Sequence, residues 1–129
     1  MRLHHVQVSM PRGHEEGARR FYGQGLGLSE VEKPAELRGR GGAWFRAWHA
    51  DGTVAAELHV GVEDPFTPAR KAHPAFAVGA VADLETVAAR LSALGFPVDW
   101  TERHTFPGYE RLHTADAAGN RVELLAPTG

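Results

Sequence analysis

The sequence predicts an α+β protein built from two βαβββ units that form a cupped mixed sheet with helices on its outer face. Three observations lead there. The order of elements between residues 3 and 60 recurs between residues 72 and 126, and a set of polar positions recurs with it. Each unit also has one helix to cover a sheet with two faces, so the second face needs another partner. The reading is one domain over residues 1–129, with a first module at about 1–63 and a second at about 70–129.

The first unit opens with LHHVQVS, residues 3–9, in which Val6 and Val8 alternate with His5, Gln7 and Ser9. Period two marks a half-buried strand. Pro11 and Gly13 break it. Residues 14–24 read as a helix with Ala18, Phe21 and Tyr22 on one face and Glu15 and Glu16 in the first turn. LGLSEVEKP reads as a second strand ended by Pro34, and AELRGRGG as a loop. AWFRAWH then places Trp44, Arg46 and Trp48 on one side of a third strand. Asp51-Gly52 is a hairpin turn, and VAAELHV returns with Glu57 and His59 on one face and Leu58 and Val60 on the other.

Residues 61–71 form the linker. The second unit begins at AHPAFAV, residues 72–78, where Pro74 points to an edge or a bulge. Asp83 is the expected N-cap of a helix. That helix carries Leu84, Val87, Ala88, Leu91 and Leu94 on one face and stops at Gly95 and Pro97. A short strand, PVDW, leads into the loop TERHTFPGY. Residues 110–115 and 120–126 are the closing strands, turned at Ala117-Ala118-Gly119. The repeat is measurable. His73 lies 68 residues after His5, and Leu94-Gly95-Phe96 lies 68 after Leu26-Gly27-Leu28. Glu123 follows Glu57 by 66.

Composition narrows the function. Hydrophobic residues make up 43% of the 129, ordinary for a globular chain. The formal net charge of −2 gives no field for nucleic acid or an acidic membrane. Cysteine is absent, which excludes thiolate nucleophiles and thiolate metal sites. The first residues lack the apolar stretch of a signal peptide, and no apolar run reaches the ~20 residues of a membrane span. The expectation is a cytoplasmic protein acting on a small molecule. The unusual count is eight histidines.

Strand parity turns two of those histidines and two glutamates to the open faces of the two sheets, where the four converge if those faces curve together. If Val6 and Val8 pack on the helix, His5 faces away; Leu58 and Val60 likewise turn Glu57 outward. The same argument exposes His73 opposite Phe76 and Val78, and Glu123 opposite Val122 and Leu124. Imidazole and carboxylate suit a divalent nickel, cobalt, zinc, manganese or iron ion, and fewer than a full set of protein ligands leaves positions open for substrate. The metal-free reading of His5, His73 and Glu123 is a polar cup of mutually hydrogen-bonded side chains. Glu57 is a fourth ligand, a mobile base, or a partner of His59. His59 and His113 line the cup or serve as structural histidines. Trp44 and Trp48 form an aromatic wall for substrate or belong to the core, and Arg46 points to an anionic group. Phe106 lies on a loop that could act as a lid. His4, His14 and His49 are read as surface residues.

The stretch HHVQVSM…ARRFYGQGLGL resembles the opening strand and helix of the vicinal oxygen chelate superfamily, the glyoxalase, bleomycin-resistance and dioxygenase group. AHPAFAVGAVADLETVAARLSALGF is similar to the opening of that family's second module, and DAAGNRVELLAP to its closing hairpin, with Ala117 where a proline is usual. The resemblance implies metal ligands at His5, His73 and Glu123, and a glyoxalase-type ligand at Glu57. ELHVGVEDPF lacks the glyoxalase-type continuation after its glutamate, which points to a small substrate other than a glutathione adduct. The resemblance also implies a homodimer, with halves paired within or between chains. Three functions follow. The first is a metal-dependent lyase or isomerase in which Glu123 or Glu57 takes a proton from the carbon beside a carbonyl. The second is a non-catalytic binding module using Trp44, Trp48 and Phe106. The third is an iron-dependent dioxygenase.

Overall fold

The computed structural model describes residues 1–129. The chain divides into two compact units, Met1–Pro68 and Ala69–Gly129. The first contains strand β1 (Val6–Met10), helix α1 (Glu15–Ala18), β2 (Ser29–Val31), β3 (Ala43–Trp48) and β4 (Val54–Val62). The second contains β5 (Ala75–Ala77), α2 (Val81–Ala93), β6 (Tyr109–Ala115) and β7 (Arg121–Pro127).

In the first unit the sheet order is β1-β4-β3-β2. β1 runs parallel to β4, with Val6 beside Leu58 and Val8 beside Val60. β3 pairs antiparallel with β4 around the Asp51-Gly52 turn, so Phe45 meets Leu58, Arg46 meets Glu57 and Trp44 meets His59. One sheet face holds the core. Phe45, Leu58, Phe21 and Tyr22 are each at most 1% exposed, and the Tyr22 ring lies 5.8 Å from Phe45.

The expected helix over residues 14–24 is present in altered form. After Ala18 it widens into a π-helical segment, Arg19–Gly25, closed by the Leu26 amide donating to the Phe21 carbonyl at 2.9 Å. The wider turn accommodates two adjacent aromatic side chains, Phe21 and Tyr22, both fully buried. The expected loop at AELRGRGG contains a 3₁₀ helix, Ala35–Arg40.

The second unit repeats the plan with order β5-β7-β6. β5 is parallel to β7, and β6 antiparallel to it. The expected strand PVDW shrinks to one bridge, Asp99 to His113, in the position a fourth strand would take. Helix α2 buries Leu84, Val87, Ala88 and Leu91 of the stripe read from the sequence, while Leu94, expected on the same face, is the half-buried C-cap. Its N-cap is Ala80 rather than Asp83. Asp83 instead sits in the first turn, where its charge complements the helix dipole.

The hairpin between β6 and β7 is fixed by Asp116 and Asn120. Asp116 Oδ1 accepts from the amides of Ala118 and Asn120, and Asn120, 2% exposed, accepts from the Ala69 amide through Oδ1. These bonds hold the register that sets His113 directly opposite Glu123. No helix is long and apolar enough to cross a membrane.

One glycine is required by close approach. Gly42 has φ of +87°, and a Cβ there would lie 2.1 Å from the Val60 carbonyl oxygen. Gly13 also has positive φ, +83°, but open space around it. Gly42→Ala is expected to lower unfolding free energy by ~2 kcal/mol or more, and Gly13→Ala by about 1. Urea unfolding of both variants checks the difference, and equal losses would contradict it.

Candidate functional site

The polar positions read from the sequence lie on the sheet faces opposite the apolar packing, and each unit gathers its own group. In the first unit Glu57 is 9% exposed and His59 6%. Glu57 Oε2 accepts from His59 Nε2 at 2.7 Å, and Oε1 accepts from Arg46 Nε at 2.7 Å. The His59 ring is sandwiched between Trp44, stacked at 3.7 Å with planes 1° apart, and His5, at 4.1 Å and 20°. Extending the β1–β4 register by one residue sets His5 beside Glu57. His4, read as a surface residue, is exposed, yet its ring nitrogen lies 3.0 Å from that of His5. Ligand atoms of His4, His5 and Glu57 all fall within 4.8 Å of one another.

Burial works to raise the Glu57 carboxyl, but the bonds from His59 and Arg46 outweigh it and hold the group below the usual carboxylate range. His59 is pushed below the ordinary histidine value by burial, partly opposed by Glu57. The pair is therefore a carboxylate and a neutral imidazole donating from Nε2. Trp48 stands apart from this group. A register shift between Ala47 and Trp48 sets it opposite Val54, and it is 46% exposed.

In the second unit Glu123, 3% exposed, is the centre. Its Oε1 lies 3.0 Å from His113 Nε2, 3.4 Å from His73 Nε2 and 3.1 Å from Arg111 Nη1. The three ligand atoms of His73, His113 and Glu123 lie within 4.8 Å of one another. His73 Nδ1 donates to the Lys71 carbonyl at 2.8 Å. With Nδ1 so engaged, Nε2 is the ring nitrogen turned toward the carboxylate. Two ligand atoms each ~2.1 Å from one ion are about 3.0–3.4 Å apart at octahedral or tetrahedral angles, the spacing of Glu123 Oε1 from each of the two histidine nitrogens. An imidazole anchored through its other nitrogen to a backbone carbonyl is the usual support of a metal-ligating histidine. Burial, with the nearby charge of Arg121, lowers the His113 value, while Glu123 opposes the shift.

Arg111 ties the neighbouring loop to this group. It donates through Nη2 to Thr105 Oγ1 at 2.8 Å, and its guanidinium lies 5.5 Å from the centre of the Phe106 ring. Phe106 is 43% exposed and packs edge-on against Tyr109. Three participants were not singled out as ligands or site partners by the sequence reading: His4, Arg111 and, as a ligand, His113. For His113 the signal was available. It and Glu123 are equidistant from Ala118 in the closing hairpin, which makes them cross-strand partners.

The profile of the Glyoxalase/Bleomycin resistance protein/Dioxygenase superfamily matches residues 2–124. Among solved structures, a protein assigned to the glyoxalase family from Bacillus anthracis is 38% identical, with a TM-score of 0.81 over 99% of this chain and 100% of that one. The genomically encoded fosfomycin resistance protein FosX from Listeria monocytogenes, in a monoclinic form, is 19% identical, with a TM-score of 0.72 over 98% of this chain and 91% of that one. A further FosX structure, complexed with Mn(II) and sulfate ion, is 16% identical, with a TM-score of 0.63 over 98% and 93%. No curated protein matches the chain.

The lowered histidines give a pH prediction for protein freed of metal by a chelator. The unfolded chain binds protons at His59 and His113 once pH falls past about 6.5, whereas the folded rings resist. Stability is thus fully present above that value and declines as pH falls toward the folded values. The urea midpoint should drop between pH 7 and 5.5, and the double variant His59→Gln, His113→Gln should flatten the drop. A midpoint that rises on acidification would show the signs to be wrong.

Proposed function

Since the chain belongs to the glyoxalase/bleomycin resistance protein/dioxygenase superfamily, we propose that it is a metal-dependent enzyme acting on a small substrate with two adjacent oxygens. The observation that carries this is the spacing of 3.0 and 3.4 Å from Glu123 Oε1 to the two histidine nitrogens, with His73 fixed by the Lys71 carbonyl. In the second unit His73, His113 and Glu123 would hold the ion. In the first, His5 and Glu57, with His4, are the ligand group, although both Glu57 oxygens already have partners. Nickel, cobalt, zinc, manganese and iron all suit these donors, and the manganese-bound FosX structure supports including manganese.

A bound divalent ion would polarise the two substrate oxygens and acidify the carbon beside them. The protein's part is proton transfer and orientation. Glu123 engages His73, His113 and Arg111 through Oε1, which leaves Oε2 as the oxygen to take the proton. Arg111 holds the carboxylate in place and links it to the Phe106 loop, a candidate cover over bound substrate. Glu57 is held low by two hydrogen bonds, which weakens it as a base. A second reading rests on the stack of Trp44, His59 and His5. It offers an aromatic surface on which a flat ligand could be held without chemistry. Two histidines and one carboxylate also match an iron-dependent oxygenase triad, for which oxygen consumption by the iron-loaded protein is the check.

The protein, stripped and titrated with each of the five metals, should bind one tightly. His73→Ala, His113→Ala and Glu123→Ala should each weaken binding by about a hundredfold or more, and His5→Ala or Glu57→Gln by less. Unchanged affinity in all five variants would remove the metal from the proposal. Loaded protein should catalyse deuterium exchange at the carbon beside the carbonyl in one of a panel of hydroxy-carbonyl compounds, and Glu123→Gln should abolish it. Absence of exchange combined with tight, metal-independent binding of aromatic ligands would establish the binding module instead. A homodimer is also proposed; sedimentation as a monomer at micromolar concentration would refute it.

A further inference from the structure

We propose that the first unit carries a binding site for a small oxyanion, phosphate, phosphonate or carboxylate, in the cleft between its N-terminal segment and the β3–β4 hairpin. The cleft has a volume of about 770 Å³ and is walled by Arg2, His4, Arg46 and His49 together with Leu3 and the turn before Ala56. That volume is within the range of small-molecule sites. The cations come from separate parts of the unit: Arg2 and His4 precede β1, Arg46 stands on β3, and His49 begins the turn.

The one carboxylate in the wall, Glu57, does not cancel this set. It is already bonded to Arg46 Nε and His59 Nε2. The bond through Nε fixes the Arg46 guanidinium to a buried, stacked platform and leaves its Nη donors for an acceptor in the cleft. A guanidinium oriented in this way presents a planar fork suited to an oxyanion. Arg2 supplies the net positive charge, and the two imidazoles add donors. Leu3, Ala55 and Ala56 give the same cleft an apolar side. The ligand class is therefore a small anion with a short carbon body.

This inference rests on the enzyme reading only in making that anion the charged end of the substrate. Its test does not depend on metal. Chelator-treated protein is titrated with inorganic phosphate, methylphosphonate, acetate and, as a neutral reference, ethylene glycol. Affinity is measured by calorimetry and site occupancy by the NMR shift of the Arg46 side-chain Nε. Saturable binding of phosphate and methylphosphonate or of acetate, with a moving Arg46 signal and no response to the glycol, is the expected result. The responding arm tells a tetrahedral anion from a carboxylate. Arg2→Gln and Arg46→Lys should each weaken binding about tenfold, while Arg38→Gln, an exposed arginine on the 3₁₀ helix, should leave it unchanged. Arg2 is exposed and outside the core, so its variant tests the site even if Arg46→Lys fails to fold. A lack of saturable binding, an unmoved Arg46 signal, or equal losses in Arg2→Gln and Arg38→Gln would overturn the proposal. A failed metal titration would leave this result standing, and the reverse also holds.

Discussion

Parallel pairing of the first strand with the last in each unit is the constraint from which both the core and the candidate site follow. Parallel neighbours require a crossover connection, and here the crossover contains the helical segment of each unit. In the first unit Tyr22 of that segment packs on Phe45, and α2 packs on β7 in the second. The opposite sheet face is left to polar side chains. The same pairing sets the residue preceding β1 beside Glu57 on β4; in the second unit it sets Ala75 beside Glu123 on β7, with the Glu123 amide donating to the Pro74 carbonyl and His73 Nε2 3.4 Å from the carboxylate. Histidine and glutamate remote in sequence thereby meet on one face in each half.

That face is expensive to build. Glu57 and Glu123 are both nearly removed from solvent, and a buried carboxylate is tolerated only with good partners. Each has them: Arg46 and His59 for Glu57; Arg111, His113 and His73 for Glu123. Apolar residues of similar volume would stabilise such positions about as well. Their presence in both units therefore argues for chemistry rather than for stability.

The repeat and the strand parity were legible because both depend only on spacing. Parity alone predicted which face carries His5, Glu57, His73 and Glu123. What escaped it depended on geometry that spacing does not encode. The π-helical widening at Arg19–Gly25 is driven by burying Phe21 and Tyr22 together, a tertiary demand. Trp48 left the group expected for it because a bulge intervenes after Ala47. Asp83 yielded the cap to Ala80 because the helix begins one turn earlier than its apolar stripe. His4 joins the first group from an exposed position outside any strand, where alternation gives no guidance.

The two units share a scaffold but differ at one decisive position. The cross-strand partner of the site glutamate is Arg46 in the first unit and His113 in the second. A guanidinium stays charged at any pH a protein meets and has no lone pair to give. Beside Glu57 it neutralises the carboxylate and leaves donors facing outward, which suits an anion. An imidazole kept neutral by burial could surrender Nε2 to an ion that, in the proposed site, Glu123 would also bind. The next pair on each sheet follows the same division. Trp44 and His59 stack in the first unit, whereas their counterparts by register are Arg111 and Leu125 in the second. As proposed, one duplicated frame would hold an aromatic, anion-seeking surface in one half and a ligand triad in the other.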